Sequence, residues 1–144
     1  MKDFLKELKE WVIIIFFYPI LPIIITILIA LLILPTNIEA KTYSKKECKK
    51  YAYKEVLKKG WSLKDYDNLV KLWNKESNWN AKARNKRSGA CGIPQAYPCS
   101  KMKKYGKDYK TNCKVQIKWG LNYIKSRYKT PTKAWKHFQK KHWY

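Results

Sequence analysis

Residues 11–34 form an unbroken run of uncharged side chains, mostly Ile, Leu, Phe and Val, with no polar face to turn toward water. As a helix, a run of that length is enough for the roughly 30 Å hydrocarbon layer of a bilayer. It predicts an N-terminal transmembrane helix and leaves the rest of the 144-residue chain to do the folding. Pro19 and Pro22 fall inside the run, and membrane helices tolerate proline better than soluble ones. Ile38-Glu39-Ala40 offers a signal-peptide cleavage site after Ala40. The run is longer than the roughly 7–15 apolar residues usual for a signal peptide, however, and this favours an uncleaved anchor over a cleaved signal. The organisation expected is an anchor or signal segment over 1–40, a basic, helical linker over 41–60, and a folded domain over 61–144.

All four cysteines, at 48, 91, 99 and 113, follow the apolar run, and none forms a Cys-x-x-Cys pair. An even number in a small domain points to disulfides in an oxidising compartment rather than to a zinc site. Three pairings exist, and proximity favours Cys99 or Cys91 with Cys113. The lysines flanking the apolar run would orient the domain inward, whereas the cysteines require it outside. The expected localisation is therefore a cell membrane with the domain on the cell-wall side, or secretion if the chain is cut after Ala40.

From residue 41 onward, 29 Lys and Arg face six Asp and Glu. A surface that basic attracts polyanions, here anionic cell-wall polymers or lipid headgroups. Lysines interleaved with Tyr43, Tyr51, Tyr53, Tyr105 and Tyr109 are compatible with single-stranded nucleic acid. No recognised nucleic-acid motif is present and the charge is not gathered into a stripe, so no specific nucleic acid is expected.

Ser62 and Asp65 make a capping-box-like start. Leu63, Tyr66, Leu69, Val70 and Trp73 follow at helical spacing, which predicts an amphipathic helix over 63–75. Glu76 then stands on or beside the buried face at the helix C-terminus. The negative end of the helix dipole and the neighbouring indoles disfavour its charged form, so its pKa is expected to rise toward that of a general acid. A solvent-facing Glu76 held down by surrounding lysines is the alternative. Residues 77–90 read as a polar loop, followed by the Gly92-Ile93-Pro94-Gln95 turn, whose backbone groups could grip the N-acetyl groups of a sugar. Residues 101–111 read as a basic loop, 115–128 as a helix, and Thr130-Pro131 as the start of the last helix. His137 and His142 lack a third ligand and read as surface or packing residues. No metal or cofactor is implied.

One ordered series runs through these segments. It begins with Leu69, Val70, Leu72, Trp73, Glu76, Ser77, Trp79, Asn80 and Ala83, and continues with Ser88, Gly89, Ala90, Gly92, Ile93, Pro94 and Gln95. It goes on through Ser100, Lys101 and Met102, then Gln116, Ile117, Trp119, Gly120, Leu121, Tyr123, Ile124, Arg127 and Tyr128, and ends at Ala134 and Trp135. The series resembles the lytic transglycosylase superfamily, in particular its small secreted domains from bacteria and phages.

The resemblance covers residues 61–144 and implies a mainly α, lysozyme-like domain. It implies Glu76 as the catalytic acid/base, Gly92, Ile93, Pro94 and Gln95 as the shapers of the substrate groove, and Tyr123 as part of its aromatic lining. Ser77, Asn78 and Trp135 join them as substrate-binding candidates, with Ala134-Trp135 standing where larger relatives carry Ala-Tyr-Asn. Cys91 and Cys99 flank the turn and suggest a groove wall held by a crosslink. The implied substrate is peptidoglycan, cut between N-acetylmuramic acid and N-acetylglucosamine. No second carboxylate is an obvious partner for Glu76, which suits a transglycosylase that leaves a 1,6-anhydro end. Muramidase hydrolysis and a non-catalytic basic binding module remain the alternatives.

Overall fold

The computed structural model describes residues 42–144, the helix 20–33, and the isolated positions 7, 11 and 18. The chain divides into two units, Met1–Glu39 and Ala40–Tyr144. The first unit contributes α1 (Ile20–Ile33), 14 residues of unbroken apolar sequence. At about 1.5 Å of rise per residue it reaches roughly 21 Å, short of the roughly 30 Å of a bilayer core.

Among the described residues no helix is long and apolar enough to cross a membrane. This overturns the transmembrane helix expected over 11–34, and with it the membrane as a partner and the membrane-anchored localisation of the domain. The length argument took all of 11–34 as one helix, whereas the continuous helix described within that run is Ile20–Ile33. Residues 12–17, 19 and 34 of that run, and the cleavage site expected at Ala40, lie outside the described residues.

The second unit is mainly α: α2 (Lys45–Lys58), α3 (Leu63–Ser77), a 3₁₀ helix (Cys99–Tyr105), α4 (Cys113–Tyr128) and α5 (Pro131–Lys141). Each α-helix starts on a local signal. Ser44 and Glu47 form a reciprocal capping box at α2, as do Ser62 and Asp65 at α3, each satisfying amides that the helix leaves unpaired. Asn112 caps α4, and Thr130 caps α5 ahead of Pro131.

The stretch 41–60, read as a linker, supplies a core helix. Cys48, Ala52 and Val56, spaced by four residues, are buried along one side of α2. They join Leu69, Leu72 and Trp73 of α3 and Ile117, Leu121 and Ile124 of α4 in the main core. Full burial of the Val, Leu and Ile side chains among them stabilises by about 1.5–3 kcal/mol each. α3 packs against α5, and α4 against α2, α5 and the 3₁₀ helix. The residues 101–111, read as a loop, begin inside that 3₁₀ helix, whose Met102 is buried with Cys91, Ala96 and Trp119 in a second, smaller core.

The disulfides are Cys48–Cys113 and Cys91–Cys99. Proximity in sequence had favoured Cys113 with Cys91 or Cys99, but the packing of α2 on α4 brings Cys48 to it across 65 residues. Asp65 links the starts of two helices: one carboxylate oxygen accepts from Ser62, the other from the Thr132 amide and hydroxyl. Burial acts to raise its pKa, and the hydrogen bonds from Thr132 and Ser62 outweigh burial and hold it below the ordinary aspartate value.

Candidate active site

Glu76 is the penultimate residue of α3. The chain leaves the helix through two successive left-handed residues, Asn78 (φ 51°) and Trp79 (φ 58°). This reversal carries the Trp79 ring edge-on against Trp73, with centroids 5.2 Å apart. Both indoles are fully buried. Glu76 itself is half-buried, and burial alone pushes its carboxyl up to about 7. The lysines that outnumber acids on the surface do not reverse that shift.

The next residue ties the helix end to the turn. Ser77 Oγ donates to the Ile93 carbonyl at 2.9 Å. From the opposite side, Gln116 of α4 accepts the Ile93 N–H through Oε1 at 2.9 Å, while its Nε2 donates to the Ala81 and Tyr109 carbonyls. Gln116 is fully buried. Gly92 leaves it room: a Cβ there would sit 2.6 Å from the Gln116 Cδ, on backbone at φ +74°. Gln95 closes the turn, with both its amide and its side chain donating to the Gly92 carbonyl. The Cys91–Cys99 disulfide holds the flank of the turn, where Cys91 and Ala96 exchange backbone hydrogen bonds.

Tyr144 joins these pieces. Its hydroxyl accepts from Trp73 Nε1 at 2.8 Å and donates to the Pro94 carbonyl at 2.9 Å. Burial drives its phenol well above the ordinary value, and the charge of Glu76 adds to the rise, which places the carboxyl within electrostatic reach of the phenol.

One cleft opens beside the turn and a second adjoins it. The smaller, about 200 Å³, is lined by Pro94, Gln95, Tyr123, Arg127 and Tyr144, together with Lys101 and Trp119. The larger, about 720 Å³, shares Lys101, Trp119 and Tyr123 with it. Trp119 and Tyr123 stack with centroids 5.2 Å apart and planes 9° from parallel. Tyr123 also meets Tyr144 edge-on at 5.8 Å.

Of the residues singled out in the sequence, Glu76, Ser77, Gly92, Ile93, Pro94, Gln95 and Tyr123 are linked through this network. Glu76 lines neither cleft, and its charge is felt by Tyr144, which lines the smaller one. Asn78 serves as the left-handed cap of α3. Trp135 stacks on Phe138 at 5.7 Å and lines neither cleft. Sequence reasoning gave no role to Gln116. Its signal was present, since it is a polar residue next to Ile117 on the apolar side of α4. For Tyr144 the sequence leaves two readings, closing the core or edging the groove, and it does both, packing against the main core and lining the smaller cleft. Among the described residues no cluster of His, Cys, Asp and Glu could hold a metal ion.

Comparison of the chain with protein-family models, with curated proteins and with solved structures finds no match.

Proposed function

We propose that the protein cuts the glycan strands of peptidoglycan at the β-1,4 bond between N-acetylmuramic acid and N-acetylglucosamine, with Glu76 as the single general acid and base. The observation that carries this reading is the Glu76 carboxyl, whose proton affinity burial alone raises to about 7. A group titrating there is protonated often enough to donate and ionised often enough to accept near neutral pH.

Protonated Glu76 donates to the glycosidic oxygen as the bond to the muramyl anomeric carbon breaks. Glycosidases that use water commonly place a second carboxylate about 5–9.5 Å from the acid. No neighbouring charge contributes to the shift of Glu76. Asp65 is engaged by Ser62 and Thr132, and Asp108 by Asn112. This favours attack by the 6-hydroxyl of the muramyl residue on its own anomeric carbon. Ionised Glu76 takes the hydroxyl proton, and the product is a 1,6-anhydro end. An attacking group that is already part of the substrate supplies the proximity that a second catalytic group would otherwise provide. Tyr123, part-exposed on the wall the two clefts share, offers an aromatic ring against which a sugar can pack.

The test is incubation of the full chain with purified peptidoglycan, followed by mass spectrometry of the released fragments. Fragments lighter by one water than the hydrolytic products are expected, and Glu76→Gln should release fewer than one in a hundred of them. Hydrolytic masses would replace the internal hydroxyl by water. Undiminished release by Glu76→Gln would remove the carboxyl from its role.

A further inference from the structure

A ring of hydrogen bonds closes around the end of α3. It runs from Trp73 Nε1 to the Tyr144 hydroxyl, on to the Pro94 carbonyl, and back through the neighbouring Ile93 carbonyl to Ser77 Oγ. Glu76 lies between the two points where this ring meets the helix, three residues beyond Trp73 and so on the same side of α3. Gly120 lets α4 approach both groups that Tyr144 joins: a Cβ there would stand 2.7 Å from the Trp73 ring and 3.0 Å from Pro94 Cβ. Tyr144 is half-buried and lines the smaller cleft, while its hydroxyl reaches inward to these partners. The segment that carries it is pinned on both sides. His142 turns the chain at the end of α5 with φ 61°. Trp143 meets His137 edge-on at 4.5 Å and lies 5.1 Å from the Arg127 guanidinium.

We propose that Tyr144 is a positioning residue for the acid: its ring screens Glu76 from the water of the smaller cleft, and its hydroxyl, tied to Trp73 and Pro94, holds the ring in that place. This rests on the glycan-cleaving reading above and names the group that keeps its acid poised. Glu76 lines neither cleft, yet its charge bears on the Tyr144 phenol, so the ring stands within reach of the carboxyl on one side and of the cleft on the other. Tyr123 and Tyr128 of α4 are the further titratable groups that bear on the phenol. The carboxyl owes its proton affinity to burial alone, with no charged neighbour contributing. A side chain that shuts out water there sets how readily Glu76 keeps its proton.

Titration of the Glu76 carboxyl by carbon-13 NMR in the full chain, alongside the pH profile of peptidoglycan cleavage, tests this. Tyr144→Ala should lower the Glu76 midpoint from about 7 toward 4.5, by about one pH unit or more, and carry the falling limb of the cleavage profile down with it. Tyr144→Phe keeps the ring and should hold the midpoint within about 0.3 unit of the parent, while losing stability because the Trp73 and Pro94 groups lose their partner. Tyr144→Leu keeps an apolar side chain. It should move the midpoint about half as far as alanine does, and it reads the same effect if the alanine variant does not fold. Val56→Ala truncates the core beside Trp61, near the start of α3, whereas Glu76 stands at its end. It should lower stability and leave the midpoint in place. An unmoved midpoint in Tyr144→Ala and Tyr144→Leu, or a fall equal to that of Tyr144→Ala in either Tyr144→Phe or Val56→Ala, overturns the inference. With peptidoglycan still cut, that result leaves the cleavage reading standing alone. The expected shifts in a chain that cuts no peptidoglycan overturn the cleavage reading and leave only the shelter of Glu76.

Discussion

The side chain of Gln116 receives the backbone N–H of Ile93 at 2.9 Å, so a buried amide on α4 fixes the turn that faces the end of α3. The same side chain donates to the Ala81 and Tyr109 carbonyls, and one residue thus satisfies backbone groups of three separate segments. Gln116→Ala leaves these groups without their partner at roughly 1–3 kcal/mol for each that stays buried. A loss of about 3–5 kcal/mol in urea-denaturation free energy is expected. Gln116→Glu should be similarly damaging, because a carboxylate cannot donate to the two carbonyls.

Gly92 and Gly89 separate backbone strain from crowding. Both have positive φ, +74° and +80°, but a Cβ at Gly89 meets nothing within 4 Å, whereas at Gly92 it meets the Gln116 amide at 2.6 Å. Gly89→Ala should cost about 1 kcal/mol, the penalty for a left-handed residue with a side chain. Gly92→Ala adds displacement of Gln116 and should cost about 3 kcal/mol or more. Thermal unfolding of the two variants, side by side, checks the difference.

Glu76 titrates at about 7 in the folded protein, against 4.5 for the unperturbed group. Its ionised form is the one disfavoured by folding. The cost is therefore absent below about pH 4.5, grows as pH rises through the interval, and is complete above about pH 7. Glu76→Gln carries no charge at any pH. It should match the parent in stability at pH 4 and exceed it at pH 8 by about 1–2 kcal/mol, after discounting for the part of the group still open to water. Chemical denaturation at the two pH values reads this directly. Cleavage that needs the protonated acid should decline as pH rises through about 7, the value burial gives Glu76.

The two disulfides should contribute unequally. Cys48–Cys113 spans 65 residues and Cys91–Cys99 spans eight. By loop entropy the first stabilises by about 4 kcal/mol and the second by about 2.5 kcal/mol. Replacing both cysteines of each pair by alanine, in separate variants, should lower the denaturation free energy in that order. Loss of the Cys91–Cys99 link should also loosen the turn, read as faster amide exchange at Gln95 and Ala96.

The features legible from residue order are those made within one or two helical turns. Ser62 with Asp65 and Thr130 with Pro131 announced their helices, because capping bonds reach only three residues along the chain. Leu69 and Trp73 marked the buried side of α3 by spacing alone. α2 had the same kind of signal in Ser44 with Glu47 and in Cys48, Ala52 and Val56. A helix was expected over 41–60, but its lysines concealed its place in the core, because their density matched that of a solvated connector.

The sequence by itself determined where the α-helices of residues 42–144 begin and which of their faces are apolar, since both follow from bonds and spacings within one segment. Only the tertiary structure decided that Cys113 pairs with Cys48 and that Gln116 holds Ile93. It alone also set Trp135 against Phe138 and brought Tyr144 between Trp73 and Pro94. The physical reason is that pairing, burial and proton affinity depend on distances between segments far apart in the chain. A carboxyl such as Glu76 acquires its affinity from the groups that shut out water, and those are chosen when the helices pack.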